Sequence, residues 1–297
     1  MVMDGRALRY FIEVVRQGSF TRAASVLNVT QPAISKMIRQ LEESLGMALL
    51  IRKGRTIELT QAGHLTYARG VKILEAMNAL KADLRSFDGV VWGELCLGIP
   101  PLVGSTFFPR VMQTFKQRYP QVDVSVVEFG GKRIRDMVLS GHVDVGVTLM
   151  PYDPALFEGM IFANENLALV VPRNEKWANR DYVDLADLAD EPFVMPSEDY
   201  LTSDRCREAC RASGFVPREV GHSGQWDFLV AMVEAGIGVT FIPQTKESLF
   251  YSHRALVIPI RPAIGWQLAL IWRRGGGKAS AAVSAWVDVT RQVLNAA

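Results

Sequence analysis

Cysteine is scarce: three in 297 residues, Cys96, Cys206 and Cys210, too few and too scattered for a disulfide framework. Cys206 and Cys210 are four apart and can share a helix face, which leaves a redox or metal reading open. With no His or third Cys at ligand spacing, two small buried residues are expected. His64, His142, His222 and His253 stand singly, with no HxH or HExxH pattern, so no metal site and no cofactor is implied. Long apolar runs are missing as well: no stretch approaches the roughly 18 residues a membrane helix needs. The start, MVMDGRALRYF, meets Asp4 and Arg6 before any apolar signal core. A cytoplasmic protein is expected. There is no G-x-S-x-G elbow, no P-loop and no G-x-G-x-x-G after a strand, and GGGK at 275–278 lacks the spacing and the Ser or Thr of a P-loop. That leaves no residues to name for an enzyme, and none is expected.

An excess of one charge sign is also absent, with 33 Lys and Arg against 31 Asp and Glu, but the balance is uneven. Residues 1–90 carry 13 Lys and Arg against 8 Asp and Glu, and the remainder 20 against 23. A basic head on a slightly acidic body fits nucleic-acid binding at the head, and fits plain solubility too.

Within the head, the stretch from Phe20 to Leu41, FTRAASVLNVTQPAISKMIRQL, predicts two helices and a tight turn. For a helix from Gln31, a rotation of about 100° per residue gathers Gln31, Pro32, Ser35, Lys36 and Arg39 on one side. Ile34, Met37, Ile38, Leu41 and Leu45 fall on the other. Thr30 stands at the N-cap and Pro32 in the first turn, where a missing donor costs least. Upstream, Thr21 is expected to cap a shorter helix through Leu27, Ala23 and Ala24 permit close helix approach, and Asn28 takes a left-handed turn position. This is the helix-turn-helix layout, whose second helix meets base edges in the major groove. Gln31 suits adenine, Lys36 and Arg39 suit guanine or phosphate, and Ser35 suits either. The competing reading is an ordinary helix pair with a solvated basic face.

Leu8, Phe11, Ile12 and Val15 mark a first helix ending near Gly18. LLIRKGRTIELT predicts a basic hairpin, or wing, whose Arg52, Lys53 and Arg55 can reach phosphates or a minor groove, or simply form a solvated turn. Thr60 opens a helix from about Gln61 to Phe87 with Leu65, Val71, Leu74, Met77, Leu80 and Leu84 in a broken apolar stripe. Pairing with the same helix of a second copy would bury more of that stripe than its own domain can, and would supply the two-fold symmetry that palindromic DNA mirrors.

The succession AA-x-x-L, T-Q-P-A-I-S, L-E-x-x-L-G, R-x-x-R and L-T-x-A-G across about 60 residues resembles the winged N-terminal domain of LysR-type transcriptional regulators. Leu50 stands where that family usually has Phe. The resemblance implies double-stranded DNA as partner, a dimer or tetramer, and a C-terminal effector-binding domain with two lobes like those of periplasmic binding proteins.

From Val91 onward, short apolar runs at 93–99, 122–128, 143–148, 167–171, 192–195, 238–242 and 267–272 alternate with helical segments at 107–118, 134–139, 205–212 and 225–235. Alternation of this kind predicts an α/β fold with mostly parallel sheets. The expected organisation is a winged helix-turn-helix domain at 1–60, a linker and dimerisation helix at 61–90, and an effector domain at 91–297. Its lobe I is about 91–161 and 266–297 and its lobe II about 162–265, with crossings near Phe162 and Gly265.

Ligands gather where strands end and helices begin. The junctions offer Ser105 and Thr106, which begin a helix at the end of GIPPLVGST, Gly130 and Gly131 in EFGGK, and Thr148 in VTLMP. MPSEDYLTSD offers Ser197, Tyr200, Thr202 and Ser203, and GHSGQWDF offers Ser223 and Trp226. The family resemblance points to the same loops, including Pro100, Ser105, Gly130, Thr148 and Ser223. Helix capping alone would explain Ser105, Thr202 and Ser223, core packing Trp226, and a solvated helix start Lys132 and Arg133. A small organic acid or similar anion is the expected effector. A solute-binding protein has the same body, but the N-terminal helix pair and the missing signal core argue against it.

Overall fold

A computed structural model describes residues 4–27, 29–53, 56–86, 91–244, 254–274 and 281–295. The described residues fall into two compact units, one ending at Ser86 and one starting at Val91.

The first unit begins with α1 (Gly5–Gln17), where Asp4 Oδ1 accepts the Arg6 N–H at 2.8 Å and Gly18 ends the helix at φ 57°. α2 (Phe20–Val26) is capped by Ser19, whose Oγ accepts from Arg22 N at 3.4 Å. Thr21, the expected cap, therefore lies inside the first turn: Ser19 is already extended at φ −159° and takes the capping role one step earlier. α3 (Gln31–Leu45) starts at Thr30 as expected, yet the Thr30 hydroxyl makes no capping bond. Pro32 has no N–H to offer it, and the Ala33 N–H goes to the Thr30 carbonyl at 3.1 Å. Leu8, Phe11, Ile12, Ala23, Ala24, Ile34, Ile38 and Leu41 form the core of this unit. Asn28 lies outside the described residues.

The wing follows as β1 (Leu50–Lys53) and β2 (Thr56–Leu59), paired antiparallel with Leu50 opposite Leu59. Glu42 of α3 pins it, its Oε1 accepting from Leu49 N at 2.7 Å and Leu50 N at 3.2 Å. Leu50 itself packs against the core of the unit. α4 (Gln61–Ser86) is anchored by Thr60, whose Oγ1 accepts from Gly63 N at 2.9 Å and donates to the Ala48 carbonyl at 2.7 Å. A Cβ at Gly63 would sit 2.1 Å from the Leu49 carbonyl oxygen, so only glycine lets the helix meet the strand this closely. Along α4, Val71 is buried and Leu74 packs on the core, whereas Leu65, Ile73, Met77 and Leu80 stay exposed on the single chain. Phe87 and the side chain of Leu84 lie outside the described residues.

The second unit contains β3 (Gly93–Gly98), α5 (Pro101–Arg118), β4 (Val122–Val127), α6 (Gly131–Leu139), β5 (Val145–Leu149) and β6 (Phe157–Pro172). After β7 (Val183–Asp184) and a short 3-10 turn come β8 (Pro192–Pro196), α7 (Leu201–Ala212), β9 (Arg218–Ser223), α8 (Trp226–Glu234), β10 (Thr240–Pro243), β11 (Ala255–Arg273) and α9 (Ala281–Asn295). The main sheet runs β10-β6-β11-β5-β3-β4.

It is mixed rather than mostly parallel. β3 pairs parallel with β4 and β5, but β6 and β11 form a long antiparallel pair; β8 and β9 make a separate parallel pair. One half of that pair, Ala269–Arg273 against Phe157–Ile161, is flanked by β5, and the other half, Ala255–Pro259 against Ala168–Pro172, is flanked by β10. The two strands thus carry the chain between lobes, and Phe162 and Gly265 lie within them. α9, which the apolar pattern does not announce, covers lobe I through Trp286, whose ring meets those of Phe108 and Phe115 at 5.9 and 5.1 Å.

Gly63→Ala should lower the stability of the first unit by on the order of 3 kcal/mol, because backbone, not a flexible side-chain end, opposes the new methyl. The check is a lower thermal midpoint with loss of DNA binding; an unchanged midpoint contradicts the close approach.

Candidate functional site

In the first unit, the residues expected to touch DNA are gathered on one side of α3. Gln31, Pro32, Lys36 and Arg39 are exposed and Ser35 is partly covered, while Ile34, Ile38 and Leu41 face the core. Thr21 and Thr30 are exposed at the start of α2 and just before α3. Arg52 and Lys53 occupy β1, but their side chains, and Arg55 as a whole, lie outside the described residues. A helix pinned by Glu42 to the wing strand is a rigid platform for side chains that meet a groove.

In the second unit a cavity of about 30 Å³ lies between the lobes. Its wall includes Pro100, Leu102, Val103, Gly131, Thr148, Leu149, Tyr200, Leu201, Thr202, Trp226, Trp266 and Leu268. That volume holds one or two water molecules. Four helices begin at this wall: α5 after Pro100, α6 at Gly131, α7 after Tyr200 and α8 at Trp226. None of the four has a side-chain cap at its N-cap residue. The positive dipole ends of these helices lie at one small volume, and that of α6 is already met by Asp199, which accepts from Gly130 N and Lys132 N.

Two threonines supply the polar floor. Thr148, buried at the end of β5, accepts from Arg135 Nε at 2.7 Å, and Thr202 accepts from Trp266 Nε1 at 3.2 Å. Each hydroxyl keeps its own proton to donate. Arg135 also donates through Nη2 to the carbonyls of Leu149 and Pro151, each at 2.6 Å, and burial lowers its pKa from the usual guanidinium value. The Tyr200 phenol is pushed up, first by burial and then by the carboxylates of Asp199 and Glu128, so it meets the cavity uncharged.

Of the expected effector residues, Pro100, Gly131, Thr148, Tyr200, Thr202 and Trp226 line the cavity. Ser105 and Thr106 do not: α5 begins at Pro101, earlier than expected, so both sit in its second turn and donate to the Leu102 carbonyl at 3.1 and 2.6 Å. Proline at N1 needs no partner for an N–H it lacks, which allows that early start. Ser223 accepts from Gln225 N at 3.0 Å, Ser197 N donates to the Ser223 carbonyl at 3.0 Å, and Gly130 N donates to Asp199 Oδ2 at 3.1 Å. These three lie beside the wall, not in it. Arg135 and Trp266 escaped the sequence reading, although Arg135 stands one helical turn after Gly131, on the same face of α6.

Cys206 and Cys210 are buried on α7, and burial pushes the Cys206 thiol well above its ordinary value and that of Cys210 up to about 12. Among the described residues no cluster of three His, Cys, Asp or Glu could hold a metal ion, and no helix is long and apolar enough to cross a membrane.

A winged helix-turn-helix with an exposed polar recognition face, and a two-lobed α/β unit with a cavity between its lobes, define a DNA-binding regulator with an effector-binding domain. Comparisons agree. Residues 6–64 match the family described as bacterial regulatory helix-turn-helix protein, lysR family, and residues 89–295 match the LysR substrate binding domain. The chain is 38% identical over 293 residues, 98% of its length and 97% of the relative's, to the uncharacterized HTH-type transcriptional regulator YwbI of Bacillus subtilis (strain 168). A full-length OxyR from Pseudomonas aeruginosa has the same fold, with a TM-score of 0.78 at 22% identity, covering 99% of this chain and 96% of that one. A full-length CbnR in complex with its target DNA gives 0.64 at 24%, covering 98% and 100%. The chain belongs to the LysR family of transcriptional regulators, proteins that bind DNA and small effectors and form oligomers, and that are not enzymes.

Because raised thiol pKa values keep both groups protonated at pH 8, Cys206 and Cys210 should resist iodoacetamide in the folded chain and react only after unfolding. Alkylation of either in the native protein, read by peptide mass mapping, contradicts their assignment as core.

Proposed function

We propose that this regulator reads a pseudo-palindromic site in the bacterial cytoplasm through α3 and the wing, and that a small organic acid binds the inter-lobe cavity and alters that reading. The observation that carries the effector class is the start of four helices at one cavity wall, with α5, α7 and α8 lacking a side-chain cap and α6 already met by Asp199. Thr148 and Thr202, each engaged from behind, add O–H donors, and Arg135 adds positive charge behind Thr148. The remaining wall, with Leu102, Leu149, Trp226 and Trp266, suits an apolar body behind the carboxylate.

On the DNA side, Gln31 pairs with a base, Lys36 and Arg39 contact guanine or phosphate, and Arg52, Lys53 and Arg55 steady the wing on the backbone. The exposed Leu65, Ile73, Met77 and Leu80 of α4 support pairing of that helix with its counterpart in a second copy. Effector binding changes lobe packing and so the spacing of the paired heads on DNA, provided the effector binds the two arrangements with different affinity.

Lys36→Ala should weaken binding to all sequences and reduce the salt slope by about one, whereas Gln31→Ala should relax preference at one base position at a cost of about 1–3 kcal/mol. Equal losses on specific and random DNA for both variants contradict this division.

A thermal-shift screen of monocarboxylic acids, followed by DNA footprinting with any stabilising acid, tests the coupling. A footprint that changes with the acid, and no longer does so in Thr148→Val with Thr202→Val, is the expected outcome; an unchanged footprint at saturation sinks it.

A further inference from the structure

Lobe I and lobe II meet at one rim of the cavity through Gly130, Lys132 and Asp199, which lie beside the wall. Gly130 N donates to Asp199 Oδ2 at 3.1 Å, and Lys132 N donates to the Asp199 carbonyl at 3.2 Å. The Lys132 ammonium donates to the Glu198 carbonyl at 2.7 Å and pairs with Asp204 at 2.6 Å. Asp199 thus places its carboxylate on the N–H of Gly130, the N-cap of α6, and its carbonyl on the first-turn N–H of Lys132, and a helix dipole favours a carboxylate there. Gly130 is buried, and its φ of −66° and ψ of 156° are open to any residue. A glycine is required there for space alone: a Cβ would lie 2.4 Å from the Asp199 carbonyl oxygen and 2.6 Å from its Oδ2. The neighbours in sequence of these two residues, Gly131 and Tyr200, are both cavity wall.

We propose that Gly130 and Asp199, with Lys132, form a clasp between the lobes that gates the cavity. With the clasp closed the cavity keeps only about 30 Å³, the space of one or two water molecules, so parting of the clasp makes room beside Thr148 and Thr202 for a molecule of several heavy atoms. Asp199 takes the α6 terminus for itself, and an effector's carboxylate is directed to the starts of α5, α7 and α8 instead. The inference rests on reading the cavity as the effector site, but the clasp is testable without any effector.

The amides of Leu102 and Val103 lie in the first turn of α5, where no intrahelical acceptor exists, so opening of the cavity should expose them to exchange. Hydrogen-exchange mass spectrometry on the full chain compares the parent with Gly130→Ala, Asp199→Ala and Lys132→Met. Peptides spanning 100–106 and 200–204 should exchange at least about threefold faster in Gly130→Ala and by a smaller factor in the other two, with peptides from β6 and α9 unchanged. If Gly130→Ala speeds exchange everywhere, the two variants that insert no bulk into the contact decide. Parent-like rates at the cavity peptides in those variants overturn the clasp, whatever an effector screen returns, and a failed screen leaves a positive exchange result standing.

Discussion

The antiparallel pairing of Phe157–Pro172 with Ala255–Arg273 is the constraint on which the effector unit depends. Each strand serves two lobes, so the cavity between them is bounded by one ribbon of two paired strands instead of two independent linkers. The ladder is interrupted between Pro259 and Ile264 and again between Leu268 and Ala269. Irregularities of this kind bend a strand and raise its twist, which is what a sheet shared by two lobes requires. With the ribbon in place, the β5 end that carries Thr148 and the start of α7 that carries Thr202 are brought face to face.

Arg205 reinforces the same junction from lobe II. Its Nη2 donates to the Met150 carbonyl at 2.6 Å and its Nη1 to the Gly265 carbonyl at 3.1 Å, tying α7 to the end of β5 and to the ribbon. Arg207 holds α7 to β9 by a bidentate pair with Glu219 at 2.6 and 2.9 Å, and the hydrogen bond from Arg207 is the first cause that lowers the Glu219 pKa. The helix that opens on the cavity is therefore fixed on both sides, while the Gly130–Asp199 rim rests on two backbone-donated hydrogen bonds of 3.1 and 3.2 Å and on the exposed Lys132 ammonium, bonded to the Glu198 carbonyl and paired with Asp204, which solvent weakens. The rigid side and the yielding side of the cavity are different sets of contacts.

The DNA-binding unit was largely legible in the sequence because its signals are local. The 3.6-residue period of Leu8, Phe11 and Ile12, the Gly18 stop, and the turn between two β-rich runs each act within a few residues. The cap of α2 was missed by two residues because Ser19 and Thr21 are chemically equivalent, and only the extended backbone at Ser19 distinguishes them. In the effector unit the short strands were found, but the long pair was not, since a strand that passes from one lobe environment to another has no single alternation to follow.

The sequence by itself determined the helices and wing of the head, most of the short strands and helices of the body, which of their faces are apolar, the family, and that helix starts cluster after strands in the body. Hydrophobic periodicity, Pro and Gly positions and motif order are properties of neighbouring residues. Only the tertiary structure decided which hydroxyls meet the cavity. Thr148 and Thr202 turn toward it, whereas Ser105 and Thr106 bond within their own helix, because a shift of four residues in the start of α5 moves side chains by a full turn. Arg135 behind Thr148, and Asp199 against Gly130, are contacts across 13 and 69 residues of chain. No local pattern encodes them, since their distances are set by how the two lobes fold back along the shared ribbon.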